Sequence, residues 1–396
     1  MIFTNFILLG VGLLLFGSVI FSKLSSRVGV PTLLIFLLIG LIFDAGGFIQ
    51  PSVANYSFIQ HISILALIII MFDGGLDTDI ESMRSIAPIS ISLASFGVLI
   101  TAFVTGLLLH FILGADLLVC LLVGSIISST DAAAVFGIFR TSKVKLKNKL
   151  DEILELESAV NDPTAYVLTT SFIYMVLHPA TSVFSMVLVF IQSLVLGVVL
   201  GYVLGKLFSK LINNINLDVS GLYPVLLVSM ALLTFAIAEF VHGNGFLAVY
   251  LVAVIVGNNL VKYKKAQISF FDGAAWLMQI LLFFALGLFT LPDELLVGWS
   301  VSVIVGVILI LVARPIAVFV SLAPFKKKVD FKSKVFLSWT GIKGAVPIVF
   351  AFYPLVSGVP GATSIFNVVF VVTIMSVLIQ GSTITWLARK LNLVEN

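Results

Sequence analysis

The chain is a nearly unbroken succession of apolar runs, each about 17 to 25 residues long and bounded by charge, Pro or Gly clusters. Runs of that length cross a bilayer as helices, because in lipid every backbone donor and acceptor has to be paired within the segment. Thirteen such runs fit the 396 residues, with approximate limits 3–21, 30–43, 58–73, 86–112, 117–138, 150–177, 183–211, 221–241, 244–260, 270–290, 296–322, 332–353 and 362–390. The first has no positive residue before it and Lys23 and Arg27 after it, the reverse of a secretory signal, so it reads as a retained span. Only 10% of the residues are charged and the mean hydropathy is +1.21, whereas soluble domains carry about a quarter charged residues. The expected fold class is therefore an all-α polytopic membrane protein. It forms one membrane domain over 1–396, surrounded by lipid and with no soluble C-terminal domain.

Charge placement checks the count independently, since Lys and Arg concentrate in cytoplasmic loops. Twenty of the 22 cations follow odd-numbered spans, and the even loops hold none. This predicts an N-terminus outside and a C-terminus in the cytoplasm of a multi-pass plasma-membrane protein. The net charge of +3 is then a property of the loops and implies no nucleic-acid partner. The two remaining cations, Arg314 and Lys343, fall inside spans eleven and twelve. A single cysteine, Cys120, excludes an internal disulfide and a cysteine-based metal cluster, and its apolar neighbours make it a packing residue.

Acids inside apolar runs are costly unless something uses them. Span five is broken at SSTD, residues 128 to 131, and seven spans later span twelve is broken at GIKGAVP, residues 341 to 347. An odd offset inverts one half relative to the other, and paired broken helices in inverted halves point to a transporter's midplane site. Such a crossing aims positive and negative half-helix ends into a low-dielectric region, each worth roughly half a charge. Asp131 is placed to offset the positive ends and Lys343 the negative ones.

On span six, in ELESAVNDP, residues four apart share a face. Ser158 stacks with Asp162, and Glu157 with Asn161 about 100 degrees away. Asp131, Ser158, Asp162 and the carbonyls freed by the break make an all-oxygen set suited to a hard cation. No His or Cys is placed with them, which argues against zinc, copper or iron, and the loose ligand set favours a monovalent ion. A carboxylate withdrawn from water and holding either a proton or a metal ion, never both, is sufficient for obligatory exchange. Pro163 loosens the helix beside Asp162. Glu157 and Asn161 read as a second layer meeting Lys343. Asp73, in MFDGGL at the end of span three, is a further candidate beside Asp77, Asp79 and Glu81. Glu239 and Asp272 read as structural or pore-lining, and His61, His110, His178 and His242 as interfacial residues of the outer face.

At these residues the chain resembles the cation:proton antiporter superfamily, specifically the NhaP-type sodium or potassium/proton antiporters. STDAAAVF, ESAVNDP, GIKGAVP and FDGGL carry the resemblance, and GLYPVLLVS at 221 to 229 and FFDGAAWLMQI at 270 to 280 look like the potassium branch. The resemblance implies thirteen spans in two inverted halves with two broken crossing helices, a homodimer, and an elevator-like motion. It assigns the moving part to about 58–177 and 270–390, including the broken helices 117–138 and 332–353. It places the ion near the Thr130 main chain, Asp131, Ser158 and Asp162, with Asp73 nearby. It also implies electroneutral exchange, because Asn161 precedes Asp162, and no cofactor beyond the transported K⁺ or Na⁺ and H⁺. Two departures stand out: Lys343 where Arg is usual, which replaces a bidentate partner for Glu157 by a point charge, and Asp73 where Glu is common.

Two other functions fit intramembrane acids. An aspartyl protease would use Asp131 and Asp162 as a dyad, but neither acid has the usual YD or GxGD surroundings. A cation channel would need a continuous pore and no coupling to protons.

Overall fold

The computed structural model describes residues 32–45, 53–131, 144–260, 262–289 and 292–395, with isolated positions between 9 and 20 and between 135 and 139. Most of the first expected span, Lys23, Arg27 and residues 140–143 lie outside the described residues. From the second onward, each expected span coincides with a helix or a pair of half-helices. These are α1 Thr32–Ala45, α2 Val53–Asp77, α3 Ala87–Leu113, α4 Leu117–Ile126, α5 Leu150–Leu177, α6 Val183–Asn214 and α7 Leu222–Phe240. They continue as α8 Gly245–Asn259, α9 Lys264–Leu288 and α10, which runs as Pro292–Ile308 through a π turn into Arg314–Ser321. The last are α11 Phe331–Trp339, α12 Ala345–Ser357 and α13 Ala362–Lys390. Seven described helices are long and apolar enough to cross a membrane unaided; α4, α8 and α12 are shorter apolar helices.

The two interruptions expected from sequence are present. α4 stops at Ile126, and the chain runs non-helically through Ser129, Thr130 and Asp131. α11 stops at Trp339 and α12 starts at Ala345, with Gly341 to Gly344 between them. Three π turns, Leu93–Gly97, Leu309–Ala313 and Ser376–Gln380, bend α3, α10 and α13. In α10 the cause is local: Pro315 cannot donate to the preceding turn, so the helix widens before it.

The helices pack in two groups. α3, α4, α5, α10, α11, α12 and α13 form one, with α3 on α4, α4 on α5, and α10 and α12 on α13. In the other, α6 lies on α8, α1 on α9, and α2 on both α8 and α9. On α6 the buried glycines Gly197, Gly201 and Gly205, four apart, face Asn244, Ala248 and Ile255 so closely that no Cβ would fit. α12 touches both groups, against α2 and α9 on one side and α13 on the other. Residues 58–77 and 270–288, which the resemblance assigns to the moving part, pack on α8 and α1 respectively, on each other and on α12.

At the end bearing the basic loops, the chain's last residues pair with the segment before α5. Leu146 and Val394 form an antiparallel bridge, Lys147 N–H donates to Leu393 O at 2.8 Å, and Glu395 N–H donates to Lys145 O at 2.9 Å. Lys145 Nζ lies 3.1 Å from Glu395 Oε2, and that carboxylate raises the lysine's pKa.

Candidate ion-binding site

The two broken segments cross through their backbones: Asp131 N–H donates to Ile342 O at 2.8 Å. Around this bond each charged side chain meets a half-helix end of opposite sign. Asp131 Oδ2 accepts from Ala345 N–H at 3.2 Å, the first residue of α12, where orphan donors and the positive dipole end converge. Lys343 Nζ donates to Ser129 O at 2.8 Å and Ser128 O at 3.3 Å, carbonyls left over beyond the end of α4. The fit at the crossing admits only glycine at 344, because a Cβ there would overlap the Asp131 carboxylate. The loop is also held from behind. Ser376 Oγ accepts from Lys343 N–H at 2.9 Å and donates to Gln380 Oε1 at 2.6 Å, and Gln380 Nε2 donates to Trp339 O at 2.8 Å. Ser376 and Gln380 sit on the π turn of α13, which aims both at the break.

α5 brings the remaining groups. Ser158 Oγ donates to Thr130 O at 2.9 Å, and Asn161 Nδ2 donates to Thr130 Oγ1 at 2.7 Å, so one residue of the break is gripped by two of α5. Asp162 is buried on the same face as Ser158, one turn on, and its Oδ1 has no hydrogen-bond partner among the described residues. Asp162 is twelve residues into α5, about 18 Å along the helix at 1.5 Å per residue. Pro163 lies inside α5, and its own carbonyl accepts from Asn244 Nδ2 of α8 at 2.8 Å.

One expectation is corrected. Glu157 does not meet Lys343. Its carboxylate Oε1 lies 2.7 Å from Nη1 of Arg314, and both side chains are fully enclosed. Arg314 is held in turn by Leu337 O, which accepts from its Nη2 at 3.3 Å, and its Nε runs beside Gly341. The reason is reach and demand. Lys343 has carbonyls to satisfy at the end of α4, and Arg314 reaches Glu157 from α10, directly after its π turn. The guanidinium that the resemblance led one to expect at position 343 thus comes from another helix, and it meets Glu157 through a single nitrogen. Asn161 likewise serves Thr130 rather than Lys343.

A cavity of about 720 Å³ reaches this cluster from the face bearing the basic loops. Its floor includes Asp131, Ser158, Asp162 and Ala345, and its wall includes Asp73, Gly74, Asp272 and Gln279. Asp77, Lys145, Asp151 and Glu152 stand at the rim. The structure therefore brings Asp73 and Asp272 to the same water-accessible space as Asp131 and Asp162. Glu157 and Lys343 are behind the floor. Glu239 and His242 instead line a second cavity toward the opposite face. His61, in the first half of α2, and His110 and His178, near helix ends, make exposed hydrogen bonds to local carbonyls. Among the described residues no three His, Cys, Asp or Glu side chains converge on one point. The cluster thus offers isolated carboxylates with hydroxyl and carbonyl oxygens, a set that suits a singly charged hard cation. Arg314, Ser376 and Gln380 are the residues that sequence reasoning gave no role. Their signal was only that a polar side chain stood in an apolar run.

Residues 11–390 match the family model described as "Sodium/hydrogen exchanger, transmembrane". The chain belongs to this family. The exchanger is 38% identical over 390 residues to the K(+)/H(+) antiporter NhaP of Alkalimonas amylolytica, covering 98% of this chain and 67% of that one. It is 39% identical over 387 residues to the K(+)/H(+) antiporter NhaP2 of Shewanella sp. (strain ANA-3), covering 97% and 67% respectively. Its fold matches the sodium proton antiporter MjNhaP1 of Methanocaldococcus jannaschii at pH 8, with a TM-score of 0.82, 23% identity, and coverage of 95% of this chain and 99% of that one. The NhaP-type resemblance read from the motifs is confirmed, as are the all-helical fold and cation/proton exchange as the activity. None of these relatives is a protease or a channel.

Proposed function

We propose that the protein exchanges one monovalent cation, potassium by preference, for one proton, without net charge movement, by alternating access across the plasma membrane. The reading rests on one observation: Asp162, with an unpartnered carboxylate oxygen, ends the cavity that opens among the basic loops. Asp162 alternately holds the proton and, with Asp131, Ser158 Oγ and Thr130 O, the dehydrated cation. Because one carboxylate serves both, cation entry and proton release are the same event. Asp131 keeps the half-helix of α12 capped, and Lys343 neutralises the carbonyl end of α4, so that the site stays assembled whether loaded or empty. Arg314 and Glu157 cancel each other and leave the site's charge to Asp131, Lys343 and Asp162. Preference for potassium is supported by the names of the relatives at 38% and 39% identity.

The positive-inside distribution assigns the basic-loop face to the cytoplasm, with the N-terminus outside and the C-terminus inside. The structure is then the inward-open state. The group of α3, α4, α5 and α10 to α13 carries the site past the group built on α1, α2 and α6 to α9, and two copies form a homodimer in the lipid bilayer. Reconstituted protein is expected to collapse an imposed pH gradient on addition of potassium, and Asp162→Asn to abolish this. Undiminished exchange in that variant would reject the assignment.

A further inference from the structure

The second cavity, of about 690 Å³, opens to the face opposite the basic loops. Its lining is rich in oxygen: Thr170 and Ser171 of α5, Ser185 and Ser193 of α6, and Glu239 at the end of α7. Tyr166 contributes to its wall. Tyr166 is four residues beyond Asp162 on α5, so a single helical turn separates a residue lining this cavity from the carboxylate at the floor of the other.

Two layers close that turn. The first is aromatic, with the Tyr166 ring packed 5.0 Å from Phe246 of α8, 5.7 Å from Tyr353 and 6.0 Å from Phe350 of α12. The second is polar. Tyr166 Oη donates to Glu239 Oε2 at 3.3 Å, while Glu239 Oε1 accepts from Gly245 N–H at 3.0 Å at the start of α8. Tyr166 belongs to the group of helices holding the site, and Glu239 to the group they pack against. The hydrogen bond between them therefore spans the boundary between the groups on the side where the site is shut.

We infer that this second cavity is the outer vestibule of the transport path, that Glu239 receives the monovalent cation there, and that the Tyr166–Glu239 hydrogen bond bars its way to Asp162. The inference rests on the exchange activity proposed above. When the site-bearing helices move to face outward, Tyr166 leaves Glu239, and the carboxylate is released to meet an incoming cation among the hydroxyls of α5 and α6. Closing the path from outside restores the bond. Glu239 thus takes the cation at the vestibule, and its bond to Tyr166 decides which side Asp162 can see.

The test uses the full chain in vesicles of uniform orientation, with Cys120→Ala and Ala159→Cys, because Ala159 lines the inner cavity beside the site. Labelling by a membrane-impermeant maleimide is measured separately from the outer and the inner side. Tyr166→Phe, which keeps the ring packing, is expected to raise the outer labelling rate about ten-fold, the factor set by one hydrogen bond to a carboxylate; Glu239→Gln, whose amide oxygen still accepts from the phenol, is expected to raise it less. The double variant is expected to match Tyr166→Phe, since without the phenol O–H the residue at 239 has no bond to that ring left to lose. Outer labelling at the parent rate in both variants, with inner labelling retained, would overturn the bar. Should Glu239→Gln fail to fold, the result for Tyr166→Phe decides. Exchange of potassium for protons is followed in the same vesicles: its absence in the unaltered protein would sink the transport reading, whereas exchange with unchanged outer labelling would sink only this inference.

Discussion

Arg314 Nη1 stands 2.7 Å from Glu157 Oε1 in a region where neither side chain meets solvent. Neither carboxylate oxygen finds an aligned hydrogen bond, so the pair is held by charge and enclosure rather than by directed bonds. Removing one partner leaves the other charge uncompensated, at a cost of about 3 to 5 kcal/mol, whereas removing both is far cheaper. Arg314→Met and Glu157→Gln are each expected to lower the melting temperature in detergent sharply, and the double variant to recover most of the loss. A double variant as unstable as the sum of the singles would show that the two do not compensate each other.

If Asp162 is shared by proton and cation as proposed, competition there sets how exchange responds to pH. At low pH the proton holds the carboxylate, and each rise in pH frees more of it for the cation. The KM for potassium at the cytoplasmic face is expected to fall as pH rises, by up to about ten-fold per unit while the protonated form dominates. The limiting rate at saturating cation should change much less. Rates measured over a matrix of pH and potassium concentration check this, and a KM indifferent to pH would exclude a shared carboxylate.

Gly344→Ala is expected to abolish exchange and to destabilise the fold by about 1 to 3 kcal/mol, the usual cost of forcing atoms into a full space. The added methyl would overlap Asp131, so the carboxylate has to leave the start of α12. Thermal shift with and without potassium separates the two effects, since stabilisation by the cation should vanish even if the protein still melts cooperatively.

Lys343→Met withdraws the donor from Ser128 O and Ser129 O, and buried hydrogen bonds to a charged group are worth about 1.5 to 3 kcal/mol. Lys343→Arg keeps the charge and offers a fork that reaches two carbonyls. Exchange is therefore expected to survive substantially better in the arginine variant than in the methionine one. Equal loss in both would mean that the shape of the ammonium, not its charge, holds the break together.

A current measurement addresses stoichiometry. If Asp162 alone exchanges its load, as proposed, with Asn161 engaged with Thr130 Oγ1, one positive charge crosses in each direction per cycle. No transient current is expected when a potassium step is applied to vesicles on a solid support, although the internal pH changes.

The spans were legible because lipid forces backbone pairing into contiguous helices, which leaves hydropathy and loop charge as direct readouts. The pairing of Ser158 with Asp162 was legible too, because spacing on one helix fixes a shared face. What escaped was the choice of partner between helices. Glu157 could reach either of two buried cations from its position in the sequence, and only the packing of α10 beside α5 selects Arg314. Ser376 and Gln380 were hidden for the same reason: regular helical spacing does not foretell which face a π turn presents. The contact of Tyr166 with Glu239 joins residues 73 positions apart on helices of different groups, and no local pattern announces it.

The short ladder joining Lys145–Lys147 to Leu393–Glu395 ties the chain's last described residues to a stretch that contributes Lys145 and Leu146 to the rim of the inner cavity. The position of the cavity rim is thus coupled through backbone hydrogen bonds to residues about 250 positions away in the chain, so the two cannot shift independently while the ladder holds.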